Sequence, residues 1–275
     1  MGGLIEALTV VPREDGTYQG STPNSQMQRT FGGLVAGQSM VAMVDTVPPQ
    51  YSVHSLHAYF VRPGQPRLPI TFEVDRVREG RSFALRRVTG LQGGRVIFMG
   101  SASFHVQQAG PVHQEPMVLA PDPSELDPGL ARDGGKHESF ATIEWPDWDI
   151  RRVPEERLQS PQRLVAHDQV WFRNTATLPD DPLFHVCALT YMSDISLLSV
   201  AMKPHSNVEL EGASLDHALW FLRPFRADDW LLYDQTTPSA GGGRGLTSGR
   251  IYDRSGALVA TSVQEGLMRL KHSRR

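Results

Sequence analysis

The sequence predicts an α+β fold built twice, as two tandem units that each wrap a curved antiparallel sheet around one long helix. Three observations carry the prediction. One apolar strand is written twice, as "VHSLHAYFVRPG" at 53–64 and "ASLDHALWFLRPF" at 213–225. Two helix-length segments are apolar on nearly every side, which marks helices that are wrapped rather than laid on a surface. Each is followed by long strands with tight turns, the order expected of segregated helix and sheet. A chain of 275 residues holds two such units.

The repeat extends beyond one strand. Arg62-Pro63 lies under Arg223-Pro224 at an offset of 161. At an offset of 163, "GRSFALRRVTGLQGGRVIFMGSASF" (80–104) lies under "GRGLTSGRIYDRSGALVATSVQEGL" (243–267). The first helix is expected in "FGGLVAGQSMVAMVDTV", stopped by Pro48-Pro49, which cannot continue it. Strands are expected at 53–61, 70–78, 83–92 and 95–106, with "QGG" (92–94) as a hairpin turn. A segment rich in Pro, Gly, Asp and Glu reads as a linker. Strands at 148–153 and 166–174 open the second unit. Its helix runs from Pro182, after Asp180-Asp181, to Pro204. Strands at 213–222, 230–237, 246–253 and 257–269 follow, with "RSGA" (254–257) as a turn. A helix wrapped by a curved antiparallel sheet, made twice, is a double hotdog. Its first repeat is expected over 1–107, a linker over 108–145 and the second repeat over 146–275.

Composition narrows the function. Forty per cent apolar and 21% charged residues are ordinary for a soluble globular chain. A net charge of -3 argues against a nucleic-acid partner, whose footprint is a basic excess. The single cysteine, Cys187, excludes an internal disulfide framework and a multi-thiolate metal site, and its apolar setting suits an inert thiol. "MGGLIEALTV" has neither the basic start nor the apolar core of a signal peptide, and "KHSRR" is not a peroxisomal Ser-Lys-Leu address. No apolar run reads as a membrane span, so a cytoplasmic protein is expected.

Common catalytic signatures are missing. "GQSMV" (37–41) lacks the second glycine of a nucleophile elbow and sits mid-helix. "GGGRG" (241–245) has no helix after it to make a phosphate cradle. His54 and His57, three apart on a strand, face opposite ways and make a poor metal pair.

Buried polarity remains. Asp194 falls in "TYMSDISLLSV", where a carboxylate costs several kcal/mol unless partnered. The alternative is a capping or salt-bridging role, for which a helix interior offers no free donors. Ser214 and Asp216 alternate with Leu215 and are expected to share a face with Ala218 and Trp220. Ser214 also suits simple filling of space. Asp216 is a rival acid, or a structural hydrogen-bonder at a strand end. Gln264, among Val263, Leu267 and Met268, either serves a site or satisfies backbone groups. Carried back by the offsets, Ser214 falls on Val53 and Gln264 on Ser101; one helix register puts Asp194 on Gln38. The first half thus keeps the scaffold and lacks this polar set.

At these residues the chain resembles the acyl-CoA thioesterase II family, the TesB-type double-hotdog hydrolases. The echoes are "RTFGGLVAGQSM", "VHSLHAYFVRPG", "GRSFALRRV", "LTYMSDISLL", "ASLDHALWFLRPF", "GRG" and "VATSVQEGLMR". The family's acid, its Thr or Ser before the Asp-His motif and its last-strand Gln fall on Asp194, Ser214 and Gln264. Ser214 stands where bacterial members have Thr; the hydroxyl stays and the rotamer is freer. The resemblance implies hydrolysis of acyl-CoA to free fatty acid and coenzyme A. Asp194 would be the general base, with Ser214 and Gln264 orienting the water. Backbone amides at Phe31, Gly32 and Gly33 would meet the oxyanion, because glycine lets a substrate approach closely. It implies no metal and no organic cofactor, an acyl tunnel between the halves, and pairing into a homodimer or larger homo-oligomer. The basic end "RLKHSRR" (269–275) either meets coenzyme A phosphates or is solvated. Two rivals stand beside this reading: a hotdog acyl-CoA hydratase or dehydratase, which "DISLLSV" disfavours by lacking a His after Asp194, and a non-catalytic acyl-CoA binding or sensing module.

Overall fold

A computed structural model describes residues 3–129, 144–159 and 165–271, so part of the linker and the last four residues of the basic end lie outside it. The first half runs α1 (Leu4–Ala7), β1 (Val10–Pro12), β2 (Tyr18–Gly20), α2 (Gly32–Val44), β3 (Tyr51–Phe60), β4 (Thr71–Glu79), β5 (Phe83–Gln92) and β6 (Arg95–Val106). The second runs β7 (Trp148–Arg152), β8 (Ala166–Asn174), α3 (Pro182–Met192), α4 (Leu197–Met202) and β9 (Leu210–Ser214). It ends with β10 (Asp216–Phe221), β11 (Leu231–Gly241), β12 (Arg244–Asp253) and β13 (Leu258–Leu270).

The thirteen strands of the described residues join one antiparallel sheet, in the order β1-β2-β4-β5-β6-β3-β10-β13-β12-β11-β8-β7, with β9 beside β13. The order reads the same from either end once the halves are exchanged. At its centre the two copies of the repeated strand pair with each other, His57 opposite Ala218 and Leu56 opposite Leu219. The molecule is therefore a double hotdog with a pseudo-twofold axis between β3 and β10. The hairpin β1–β2 was missed by the sequence reading, although Asp15-Gly16 is a strong hairpin-turn signal and Gly16 takes φ +80°.

The helices pack against each other inside the sheet. A Cβ on Gly33 would fall 2.0 Å from the Tyr191 carbonyl, and one on Gly37 3.4 Å from that of Cys187, so both glycines set how closely α2 and α3 approach. Met40, Met43, Leu56, Phe98, Phe104, Leu189 and Met192 fill the surrounding core without exposure. Cys187 is buried there and its thiol is pushed up by desolvation, as an inert thiol requires. The described part of the linker is docked rather than free: Met117, Val118 and Ala120 pack on Trp171, Trp230 and Tyr252, and Trp171 Nε1 donates to the Pro121 carbonyl at 2.9 Å.

Two expectations are corrected. The helix expected without interruption from Pro182 stops at Met192 and resumes at Leu197, with Ser193–Ser196 forming a turn. The helical run Pro182–His205 is also long and apolar enough to cross a membrane, with mean hydropathy 1.4. Most of that run is buried inside the fold, as in a core helix.

The ladders also revise the repeat. Register slips between Val53 and Ser55 on β3, and its counterpart falls at Leu215, where β9 gives way to β10. A second slip falls between Gly90 and Leu91 on β5 and between Ile251 and Tyr252 on β12. Arg86 opposite Ala102 and Thr247 opposite Gln264 each stand four residues ahead of that slip. Ala102, not Ser101, therefore occupies the place of Gln264. Arg86, fully buried in the place of Thr247, donates to Thr46 Oγ1 and its carbonyl, closing the end of α2.

Candidate active site

Three segments far apart in sequence converge on one carboxylate. Asp194 lies in the turn between α3 and α4, where the helix is broken and a polar side chain can leave the core. Its Oδ1 accepts from Ser214 Oγ at 3.0 Å and from Gln264 Nε2 at 2.5 Å. The backbone amide of Gly33, at the start of α2, faces the same carboxylate. A Cβ on Gly32 would fall 2.5 Å from Asp194 Oδ2, so the helix start lies directly against it. The site thus draws Asp194, Ser214 and Gln264 from the second half and a helix N-terminus from the first.

The slip at Leu215 decides what Ser214 can reach. Leu215 stays in the ladder, its N–H donating to Glu265 and its carbonyl accepting from Phe60. The interruption reverses the side-chain alternation. Ser214 bonds Asp194 and His217 bonds Ser193, so both turn toward the helix turn. Asp216 instead accepts the Glu265 N–H at 2.6 Å. The expected sharing of a face by Ser214, Asp216, Ala218 and Trp220 is therefore wrong by the parity of one bulge, a common device for re-aiming a side chain beside a site. Asp216 takes the structural role held open for it.

The turn itself is pinned from the sheet. His217 Nε2 lies 2.8 Å from Ser193 Oγ, Tyr233 OH donates to the Ser193 carbonyl at 3.1 Å, and Gln235 Nε2 donates to Ser196 Oγ at 2.6 Å. Ser193 Oγ already donates to the Thr190 carbonyl, which makes His217 Nε2 the donor of their bond. Of these, the sequence marked His217 only as the neighbour of Asp216 in an Asp-His pair, and did not single out Tyr233 and Gln235. Tyr233 and Gln235 are polar letters in the apolar run "LLYDQ", a signal of the same kind as Asp194.

Electrostatics separates the groups. Burial raises the Asp194 pKa from 3.8 to about 6, opposed by the Gln264 and Ser214 hydrogen bonds and the Gly33 amide. Burial lowers His217 from 6.5 to about 4, so it is neutral. Gln264 is fully buried, and its Oε1 has no hydrogen-bond partner among the described residues. Phe31 has no side chain to cap α2; its ring packs edge-on against Trp145 and Tyr191 at 5.3 and 5.2 Å. Its carbonyl takes the Leu34 and Val35 amides, leaving those of Gly32 and Gly33 without intrahelical acceptors. Among the described residues no group of three or more His, Cys, Asp or Glu could hold a metal ion.

Comparison with known proteins covers both halves. Residues 21–105 match the family model described as acyl-CoA thioesterase N-terminal domain, and 141–267 match the one described as acyl-CoA thioesterase. Acyl-coenzyme A thioesterase 8 of Mus musculus is 38% identical over 98% of this chain and 89% of its own length. Acyl-CoA thioesterase 2 of Haemophilus influenzae is 32% identical over 98% of both. The crystal structure of the acyl-CoA thioesterase II TesB2 from Mycobacterium marinum superposes with a TM-score of 0.85 at 46% identity, covering 98% of each chain.

Proposed function

The chain belongs to the acyl-CoA thioesterase II family, the TesB-type double-hotdog thioester hydrolases, and from that membership we propose that a water activated by Asp194 and oriented by Ser214 and Gln264 hydrolyses acyl-CoA to free fatty acid and coenzyme A. The observation that carries the mechanism is the convergence of Ser214 and Gln264 on one oxygen of Asp194. Two hydrogen bonds to Oδ1 fix the carboxylate and leave Oδ2 to take a proton.

The steps follow from these groups. Water oxygen bonds to the thioester carbon as its proton passes to Asp194. Gln264 Oε1 accepts from the same water and holds it in line. The carbonyl oxygen becomes an oxyanion, which the Gly32 amide at the start of α2 meets, aided by the helix dipole. The C–S bond then breaks, and Asp194 returns the proton to the departing sulfur of coenzyme A. His217 is not placed for hydratase chemistry, being fully buried behind the turn and bonded to Ser193.

The test is release of free thiol across a series of acyl-CoA chain lengths. At least one length is expected to turn over; silence on all of them sinks the reading. The pH profile is a sharper form of the same test. A base works when deprotonated, so kcat/KM rises with pH and reaches half its plateau near the Asp194 pKa of about 6. Below that it falls about tenfold per pH unit. A profile flat from pH 5 to 8 removes Asp194 from the role of base.

The pinned turn gives a further expectation. His217→Ala loses the bond that holds Ser193 beside Asp194, and kcat falls about tenfold, the worth of one buried hydrogen bond, while KM holds. His217→Gln, whose amide can donate to Ser193, restores most of the rate. Equal loss in both variants marks a packing effect instead.

A further inference from the structure

A cavity of about 490 Å3 opens at the place that the pseudo-twofold axis relates to the Asp194 site. The correspondence holds residue by residue. Val53 stands for Ser214, His54 for Leu215, Phe221 for Phe60 and Arg223 for Arg62, all at the repeat offset. Pro182 and Leu183 begin α3 as Gly32 and Gly33 begin α2. Phe60 packs on Gly32 in one site, and Phe221 lines the cavity with Pro182 in the other. With the helix starts matched, the place of Asp194 falls on Val44, not on Gln38. Gln38 is buried elsewhere, donating to the carbonyls of Ala7 and Ser21.

We propose that this cavity is a second ligand site that binds an aliphatic acyl chain without hydrolysing it. Each position that carries chemistry in the active half is apolar in this one: Val53, which lines the cavity, for the hydroxyl, and Ala102 and Val44, outside its lining, for the amide and the acid. Among the described residues no carboxylate lines the cavity. Its apolar walls include Leu183, Val186, Phe221 and Phe225; the polar lining is Ser52, His54, His105, Gln107, Gln108 and Arg223, whose guanidinium is held by the Leu258 and His113 carbonyls. His54 is bonded to Ser103 Oγ at 2.8 Å, so it presents a fixed neutral edge rather than a charge. Apolar walls with a few polar groups, at this volume, describe a small-ligand pocket. Each methylene buried there adds to affinity by leaving water, and that alone can hold a chain without any catalytic group. The class of ligand rests on the hydrolase reading of the other half, because both entrances descend from one scaffold and meet the same molecules.

The experiment is a binding stoichiometry on the full chain, by equilibrium dialysis with two probes: a non-hydrolysable decanoyl thioether of coenzyme A, and decanoate. Two sites per chain are expected for at least one probe. Filling of the second site by decanoate alone marks a product site; filling by the thioether marks an acyl-CoA site. Leu183→Trp and Val186→Trp, at different depths of the cavity, each remove one site and leave thiol release within about twofold, with circular dichroism confirming the fold. A single site in the wild-type chain, alongside normal thiol release, overturns the proposal. Two sites without any thiol release overturn the hydrolase reading and leave the second site standing.

Discussion

Thiol release from acyl-CoA falls about a thousandfold when Asp194 is replaced by Asn, within the 10²–10⁴-fold typical of a positioned general base. Asn keeps an oxygen where Ser214 and Gln264 donate, so the geometry of the turn survives and the loss is that of the base alone. Stability moves the other way. The folded carboxyl titrates near 6 and an unfolded one near 3.8. Between those values the folded chain holds a proton the unfolded chain has lost, so stability drains as pH rises through that window. Above it the ionised Asp194 costs at most about 3 kcal/mol, which a neutral Asn avoids in part. Asp194→Asn therefore melts a few degrees higher than the wild type at pH 8. Kinetics and a thermal melt on one preparation check both halves. An Asp kept only for structure would lose stability on substitution and leave the rate intact, and that pattern removes Asp194 from the mechanism.

The fold was legible because duplication doubles every signal. The run "WFLRPF" over "YFVRPG", the two proline-stopped helices and the Gly-containing turns each recur, and the sheet realises them as a palindromic strand order. Asp194 was legible for a thermodynamic reason: a carboxylate in an apolar run demands partners. The break that places it was not legible, because Ser193–Ser196 contains no Pro or Gly, and the contacts that enforce it come from β10 and β11, about 25 to 40 residues away. Ser214 was legible by type but not by direction. Strict alternation assigned it the face of Asp216, and only the ladder slip at Leu215 turns it to the helix. A bulge adds one residue without changing composition, so pattern reading passes through it. The same slip at the corresponding place in β3 shows that the device belongs to the scaffold, and that Val53 there merely lacks a hydroxyl to aim.

Gly33→Ala is expected to cost about 3 kcal/mol of stability, the upper range for an overpacked core, and to lower the melting midpoint by roughly 6–12 °C. The new Cβ would meet the Tyr191 carbonyl oxygen at 2.0 Å and the Phe31 ring at 2.5 Å. A backbone oxygen inside α3 cannot swing aside, so the two helices must part and the core around Leu34, Leu189 and Met192 must loosen with them. Gly32→Ala meets a different obstacle. Its Cβ would fall 2.5 Å from Asp194 Oδ2 and 3.0 Å from the Phe60 ring, side-chain atoms that can shift where a backbone oxygen cannot. That variant keeps its fold and loses at least about tenfold in kcat, because the oxygen displaced is the one proposed to take the proton. Thermal melts and thiol-release kinetics on the pair distinguish the two glycines. Comparable losses of stability at both positions would mean that the helix start is packing alone, while an intact rate in Gly32→Ala would separate α2 from the chemistry. The adjacent glycines of "FGG" thus answer to different constraints: Gly33 to the crossing of two helices, Gly32 to the room Asp194 needs to work.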